Sequence, residues 1–127
     1  MIRTYGLTHI ALPVKDVHRT ALFYEKVFGA KVMYSRPGFI QVQTPGSHDI
    51  IVFEEGVPSG GSIHFGFRLV EPVDPDELAR IVLAAGGAVK DQGSFGPDEP
   101  FLFFYDPDGY LVEVFFESLP GTFTDFN

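Results

Sequence analysis

Two histidines and one glutamate stand out in this 127-residue chain by the kind of segment that holds them. His9 lies in LTHIALPV, His64 in SIHFGFRLV and Glu113 in FLFFYDPDGYLVEVFFE. All three segments are β-rich, and along a strand residues two apart share a face. His9 then sits with Leu7 and Ala11, His64 with Ser62, Gly66 and Arg68, and Glu113 with Leu111 and Phe115. A carboxylate placed beside Phe and Leu is costly unless it is paired or metal-bound. Two imidazoles and one carboxylate make a ligand set for a divalent ion that keeps open positions. Each residue also has a plain structural reading: a strand histidine hydrogen-bonded at a rim, or a strand glutamate turned to solvent. The other two histidines, His18 in the first turn of a predicted helix and His48 in a turn, read as solvated.

An internal repeat is what would bring the three donors together. Residues 39–55 (FIQVQTPGSHDIIVFEE) align without a gap on residues 101–117, matching Phe39 with Phe101, Pro45 with Pro107, Val52 with Val114, Phe53 with Phe115 and Glu55 with Glu117. Upstream, LTHIALPV around His9 finds its counterpart in SIHFGFRLV around His64, and on the gap-free alignment Ile51 stands where the second copy has Glu113. Self-similarity of this kind decides the fold, so it governs the reading of every element. The first copy reads as a strand over 6–14, a helix over 17–28 capped by Asp16 and ended by Gly29, and strands over 30–36, 38–44 and 48–54. A linker, Gly56 to Gly61, follows. The second copy has a strand over 62–70, a helix opened by Asp74-Pro75 and closed by Gly86-Gly87, and strands over 88–94, 101–105 and 110–117. The Asp106-Pro107-Asp108-Gly109 turn marks the last hairpin.

The fold class is therefore α+β: one domain of two tandem βαβββ modules, about 5–55 and 62–117, each a mixed sheet with one helix, and the two sheets facing each other. The same alignment matches Gln41 and Gln43 with Phe103 and Tyr105. A substrate pocket would then have a polar wall (Gln41, Gln43) and an aromatic one (Phe101, Phe103, Tyr105). Each four-stranded sheet leaves edges and a face to cover, which favours pairing of modules or of chains.

Composition narrows the partners. Forty-five per cent apolar residues and 14 phenylalanines give a real core. No run approaches the roughly 20 apolar residues of a membrane helix, and the N-terminus carries no signal-peptide pattern. The absence of cysteine excludes disulfides, thiolate metal sites and Cys nucleophiles, and fits a reducing cytoplasm. A formal charge of −8 argues against nucleic acid and membrane as partners and would welcome a cationic small molecule.

From Leu7-Thr8-His9-Ile10 to Asp106-Pro107-Asp108-Gly109-Tyr110-Leu111-Val112-Glu113 the chain resembles the vicinal oxygen chelate superfamily: glyoxalase I, fosfomycin-resistance proteins, bleomycin-resistance proteins and extradiol dioxygenases. The DPDG-x-x-x-E run is its most specific part, and the tail after Leu119 lies outside it. The resemblance implies metal ligands on the first, fifth and eighth strands, here His9, His64 and Glu113, around a divalent ion that chelates adjacent oxygens of a small substrate. Fe(II) or Mn(II) is the first expectation, with Zn(II) and Ni(II) also suited to the set. It also implies a homodimer, with His9 from one subunit meeting His64 and Glu113 of the other.

The departures from each branch are specific. Glyoxalase I-like members carry a fourth ligand that doubles as base, where the alignment here places Ile51. Extradiol dioxygenase-like members keep a tyrosine ten residues before the ligand glutamate; that position is Phe103, with Tyr105 on the same face as a candidate catalytic group. Fosfomycin-resistance-like members need a cationic pocket, for which Arg36, Arg68 and Lys90 are the candidates and Arg68 alone is tied to the site by register. Bleomycin-resistance-like members are acidic, use no metal and sequester a drug between two chains. The expectation is a metal-dependent enzyme of dioxygenase, lyase or transferase type, against the alternative of a metal-free protein that sequesters an aromatic or cationic compound.

Overall fold

The computed structural model describes residues 1–117, so the tail after Leu119 lies outside the described residues. Along the chain run β1 (Ile10–Val14), α1 (Val17–Phe28), β2 (Lys31–Arg36), β3 (Phe39–Gln43) and β4 (Ile51–Glu55), then β5 (His64–Arg68), α2 (Pro75–Ala85), β6 (Ala88–Ser94), β7 (Pro100–Tyr105) and β8 (Leu111–Phe115). The order βαβββ is thus repeated, as the sequence predicts. The strands form two mixed sheets, sheet A in the order β1-β4-β3-β2 and sheet B in the order β5-β8-β7-β6. β1 pairs parallel with β4 and β5 with β8, while the other neighbours are antiparallel.

Local chemistry sets the helix limits. The Asp16 carboxylate accepts from the backbone N–H groups of His18 and Arg19 at 3.0 and 3.1 Å, satisfying two of the donors a helix start leaves open. α1 ends at Gly29 in the left-handed region (φ 70°). α2 starts behind the Asp74 cap with Pro75 in its first turn and ends at Gly86 (φ 104°). No helix of the described residues is long and apolar enough to cross a membrane.

The gap-free alignment of the two copies fails at one place. Val42 pairs with Ile51, whereas its counterpart Phe104 pairs with Val112, so the connection in the first copy is one residue longer. A one-residue slip turns every following side chain to the other face. Val52, not Ile51, therefore occupies the position of Glu113. The parallel pairs agree: Ala11 lies opposite Val52 as Gly66 lies opposite Glu113. Ile51 instead points into the core at 2 % exposure. His9 keeps its match with His64.

The helix-bearing faces of both sheets turn to one shared core. Val14, Val42 and Phe53 of sheet A, Leu102, Phe104, Val112 and Val114 of sheet B, and Phe23, Tyr24 and Val82 of the helices belong to a single buried cluster. Phe28 of α1 packs on Phe67 of β5 with ring centroids 4.2 Å apart, and Phe23 reaches Phe104 at 6.1 Å. The opposite sheet faces, which carry Gln41 and Glu113, point away from this core.

A polar latch fixes the two copies against each other at the Asp106–Gly109 turn. The buried Asp106 accepts from the Tyr24 hydroxyl at 2.8 Å and from the backbone N–H groups of Asp108 and Tyr110 at 2.9 and 3.0 Å. Asp108, whose side chain is fully buried, accepts from the Thr20 hydroxyl at 2.7 Å, the Arg19 guanidinium at 2.9 Å and the Lys15 N–H at 3.1 Å. The Tyr110 hydroxyl closes the latch by donating to the Pro13 carbonyl at 2.6 Å. Burial, and then the neighbouring Asp106 charge, pushes the Tyr24 phenol well above its ordinary range, so it remains a donor.

Replacing Asp106 by Ala takes the acceptor from two buried donors and one part-buried one, so we expect a loss of about 3 kcal/mol in urea unfolding. Tyr24→Phe removes one donor and should cost about half as much. Burial raises the Asp106 carboxyl above its ordinary value, against the opposing pull of the hydrogen bonds from Tyr24, Tyr110 and Asp108. The folded state thus binds this proton more tightly than the unfolded chain does. The corresponding stability is complete below the ordinary carboxylate range and is lost as pH rises through the raised folded value. The stability of the wild type relative to Asp106→Asn should therefore fall with pH across the mildly acid range and then level off. Urea midpoints between about pH 3.5 and 7 measure it.

Candidate metal centre

His64 opens β5 and Glu113 lies at the centre of β8, on neighbouring parallel strands. Their side chains meet on the open face of sheet B, with His64 Nε2 3.5 Å from Glu113 Oε1. Two ligands each about 2.1 Å from one metal ion lie roughly 3.0–3.5 Å apart at ordinary coordination angles, so the spacing and chemistry of this pair fit a divalent ion. His64 is about half exposed and Glu113 mostly covered, which leaves an approach from the imidazole side.

Gly66 stands beside this pair, directly opposite Glu113. A Cβ at residue 66 would come within 2.9 Å of the Glu113 carbonyl oxygen and 3.3 Å of its Cβ, so only glycine leaves the Glu113 backbone and side chain where they are. Phe103, paired with Glu113 across β7 and β8, meets the His64 ring edge-on at 5.7 Å. Tyr105, Phe101, Leu111 and Phe115 share that face by register. Arg68, two pleats along from His64, reaches Glu117 at 3.0 Å and lies 5.9 Å from the Phe115 ring centre.

His9 lies elsewhere. It precedes β1 rather than sitting within it, is exposed, and has Nδ1 2.6 Å from the Thr8 hydroxyl. With Thr8, Asp49 and Ile50 it lines a cavity of about 200 Å³ that also touches Phe65, Gly66 and Phe67. No group of three His, Cys, Asp or Glu side chains within the described residues is placed to hold an ion. The structure of one chain therefore joins His64 to Glu113 but does not bring His9 to them.

The two expected pocket walls are likewise separate. Gln41 and Gln43 lie on the open face of sheet A, where Gln41 pairs with Val52 and Tyr34. Phe101, Phe103 and Tyr105 lie on the open face of sheet B. The position equivalent to Glu113 holds Val52, which corrects the sequence-based placement of Ile51 there; it still carries no carboxylate. His18 and His48 are exposed, as expected. Gly66 is the position shaping this candidate site that the search for donors passed over. A glycine inside the strand-like run HFGFR was its signal, since it marks close approach of a neighbour.

Comparison with known proteins agrees with this architecture. The model of the Glyoxalase/Bleomycin resistance protein/Dioxygenase superfamily matches residues 6–114, and the chain belongs to that superfamily. An uncharacterized protein of Pseudomonas aeruginosa is 34 % identical over 124 residues, covering 84 % of this chain and 85 % of its own. The fosfomycin resistance protein FosX of Listeria innocua is 28 % identical over 119 residues, covering 86 % and 87 %. A point variant of FosX from Listeria monocytogenes, crystallised with Mn(II) and 1S,2S-dihydroxypropylphosphonic acid, is 25 % identical, with a TM-score of 0.76 over 100 % of both chains.

Gly66→Ala should displace Glu113 and destabilise the fold by about 1–3 kcal/mol, the usual range for overpacking. Urea unfolding checks the stability. The His64 imidazole resonances of the variant, compared with those of the wild type, report whether the pair has moved.

Proposed function

We propose that this protein is a homodimeric, metal-dependent enzyme of the reducing cytoplasm that acts on a small oxygenated substrate. The single observation that carries the reading is the His64–Glu113 pair, 3.5 Å apart on an open face, with a glycine beside it. A second copy of the chain would supply His9, which one chain leaves exposed and apart. It would also supply Gln41 and Gln43 as the polar wall facing Phe101, Phe103 and Tyr105. The Mn(II) complex of the Listeria monocytogenes relative supports a divalent ion, and Mn(II) or Fe(II) suits two imidazoles and a carboxylate.

When bound, such an ion polarises two adjacent oxygens of the substrate. The chain's own residues do the rest. Phe103 meets the His64 ring edge-on and limits its swing on that side. Arg68 offers positive charge at the end of the face, already opposed by Glu117. The Tyr105 hydroxyl shares the face and can carry a proton to or from a substrate oxygen. Val52 at the fourth ligand-type position offers no base, so abstraction of a carbon-bound proton in the manner of glyoxalase I is not supported. Chemistry of dioxygenase, lyase or transferase type remains the reading.

Protein prepared without chelators should hold one divalent ion per chain. His64→Ala and Glu113→Ala should each lose most of it, since too few donors remain. His9→Ala mixed with Glu113→Ala under subunit exchange should regain part of the binding, because a mixed dimer has one intact site. Elemental analysis gives both numbers. If wild type binds neither Mn, Fe, Ni nor Zn, the metal-free sequestering reading replaces this one.

A further inference from the structure

The two matched histidines are held in different ways. Ala11 lies opposite Val52 as Gly66 lies opposite Glu113, so two residues upstream His9 and His64 occupy equivalent places. His64 opens β5, has Nε2 beside Glu113 at 3.5 Å and meets the Phe103 ring edge-on. His9 precedes β1 and is exposed, as are Tyr5 and Leu7 before it. The chain is tied to β4 from the next residue on, where the Ile10 N–H donates to the Ile50 carbonyl at 3.2 Å. An exposed imidazole on such a stretch can turn about its side-chain bonds, and its one proton can sit on either nitrogen. Metal binding needs both settled, because the ligating nitrogen must offer its lone pair and the other must keep the proton.

Thr8 supplies what packing does not. Its Oγ1 lies 2.6 Å from His9 Nδ1. Threonine is branched at Cβ and stiff about χ1, so its hydroxyl is a directed anchor for the neighbouring ring. The nearby Asp49, which lines the same cavity, is already engaged in its own turn by the Thr44 N–H at 2.9 Å and the Thr44 hydroxyl.

A hydroxyl can accept from a protonated Nδ1 or donate to a bare one, and the choice fixes the tautomer. The repeat decides between them. His64 turns Nε2 toward the carboxylate with which it would share an ion, and an equivalent histidine serving one centre offers Nε2 as well. Nδ1 then carries the proton and Thr8 accepts it. Residue 63 is isoleucine, so the second copy has no hydroxyl at this place and holds its histidine through Glu113 and Phe103 instead. Thr8 is thus no echo of the repeat but a feature of the unpacked histidine.

We infer that Thr8 is a positioning residue for the metal centre: its hydroxyl keeps the His9 proton on Nδ1 and thereby presents Nε2 as the metal donor. The inference rests on the metal-site reading above and adds a residue to it. Because His9 would enter the site of another subunit, setting its ring and tautomer beforehand lowers the ordering cost of assembly.

The test reads the protonated nitrogen directly. Two-bond nitrogen–proton correlation spectra of the metal-free full-length protein, at about pH 8 where imidazole is neutral, separate the two tautomers. Loss of signals in His9→Ala assigns the ring. A free neutral histidine side chain favours the proton on Nε2. Wild-type His9 should carry it on Nδ1, Thr8→Val should return it to Nε2, and Thr8→Ser should behave as the wild type. Calorimetric titration with Mn(II) should show Thr8→Val binding about ten- to a hundredfold more weakly, with Thr8→Ser within about threefold of the wild type. A proton on Nε2 in wild-type His9, the same tautomer in Thr8→Val as in the wild type, unchanged Mn(II) affinity in Thr8→Val, or no rescue by serine would overturn the inference. Absence of metal binding by the wild type sinks the metal-site reading instead, and the tautomer in metal-free protein then decides by itself whether Thr8 sets His9.

Discussion

Everything in this molecule hangs on how one acidic turn grips one helix. Asp106 and Asp108 are drawn out of water between β7 and β8, and burial of carboxylates is tolerated only because each meets several donors. Most of those donors come from the other copy: Lys15 just before α1, and Arg19, Thr20 and Tyr24 within it. The latch therefore does two things at once. It closes the hairpin whose second strand carries Glu113, and it docks α1 so that Phe23 and Phe28 fill the space above Phe104 and Phe67. Without it, the two copies would share no polar register and the core between them would have only non-directional contacts.

That docking has a consequence for the candidate site. Because both helix-bearing faces turn inward, the open faces lie outside the shared core, and one chain does not bring His9 to His64 and Glu113. His64 and Glu113 stay together because they sit on hydrogen-bonded neighbours. His9 stays apart because β1 belongs to the other sheet. On the open face of sheet A, the exposed Tyr34 of β2 pairs with Gln41 and adds apolar surface to the face that the proposed dimer would cover.

The open face of sheet B also shows how close packing and chemistry share the same strands. Glu113 is flanked on β7 by Phe103 and on β5 by Gly66, one residue too large to be polar filler and one too small to obstruct. Removing bulk at residue 66 makes room for the carboxylate, and adding rings at 101 and 103 shields it from water. A histidine–glutamate pair so placed is mostly covered at the carboxylate and accessible at the imidazole, which suits the proposed role in binding a substrate through its oxygens.

How much of this was legible in the residues alone differs from element to element. The order of strands and helices was readable because it depends on local signals: the Asp16 and Asp74 caps, Gly29 and Gly86 at the helix ends, and alternation along the strands. So was the match of His9 with His64, which rests on short segments without insertions. The match of β4 with β8 was not, because a turn longer by one residue leaves the letters aligned while it flips the faces, so that Val52 and not Ile51 stands in Glu113's place. Nor could the sequence show that the Asp-Pro-Asp-Gly turn is a latch between copies, since its partners Tyr24 and Thr20 lie 82 and 88 residues away. Which donors share a site was likewise beyond it. Periodicity assigns a side chain to a face, but only the packing of helices between sheets decides which faces meet, and here that packing keeps His9 from His64 and Glu113 within one chain.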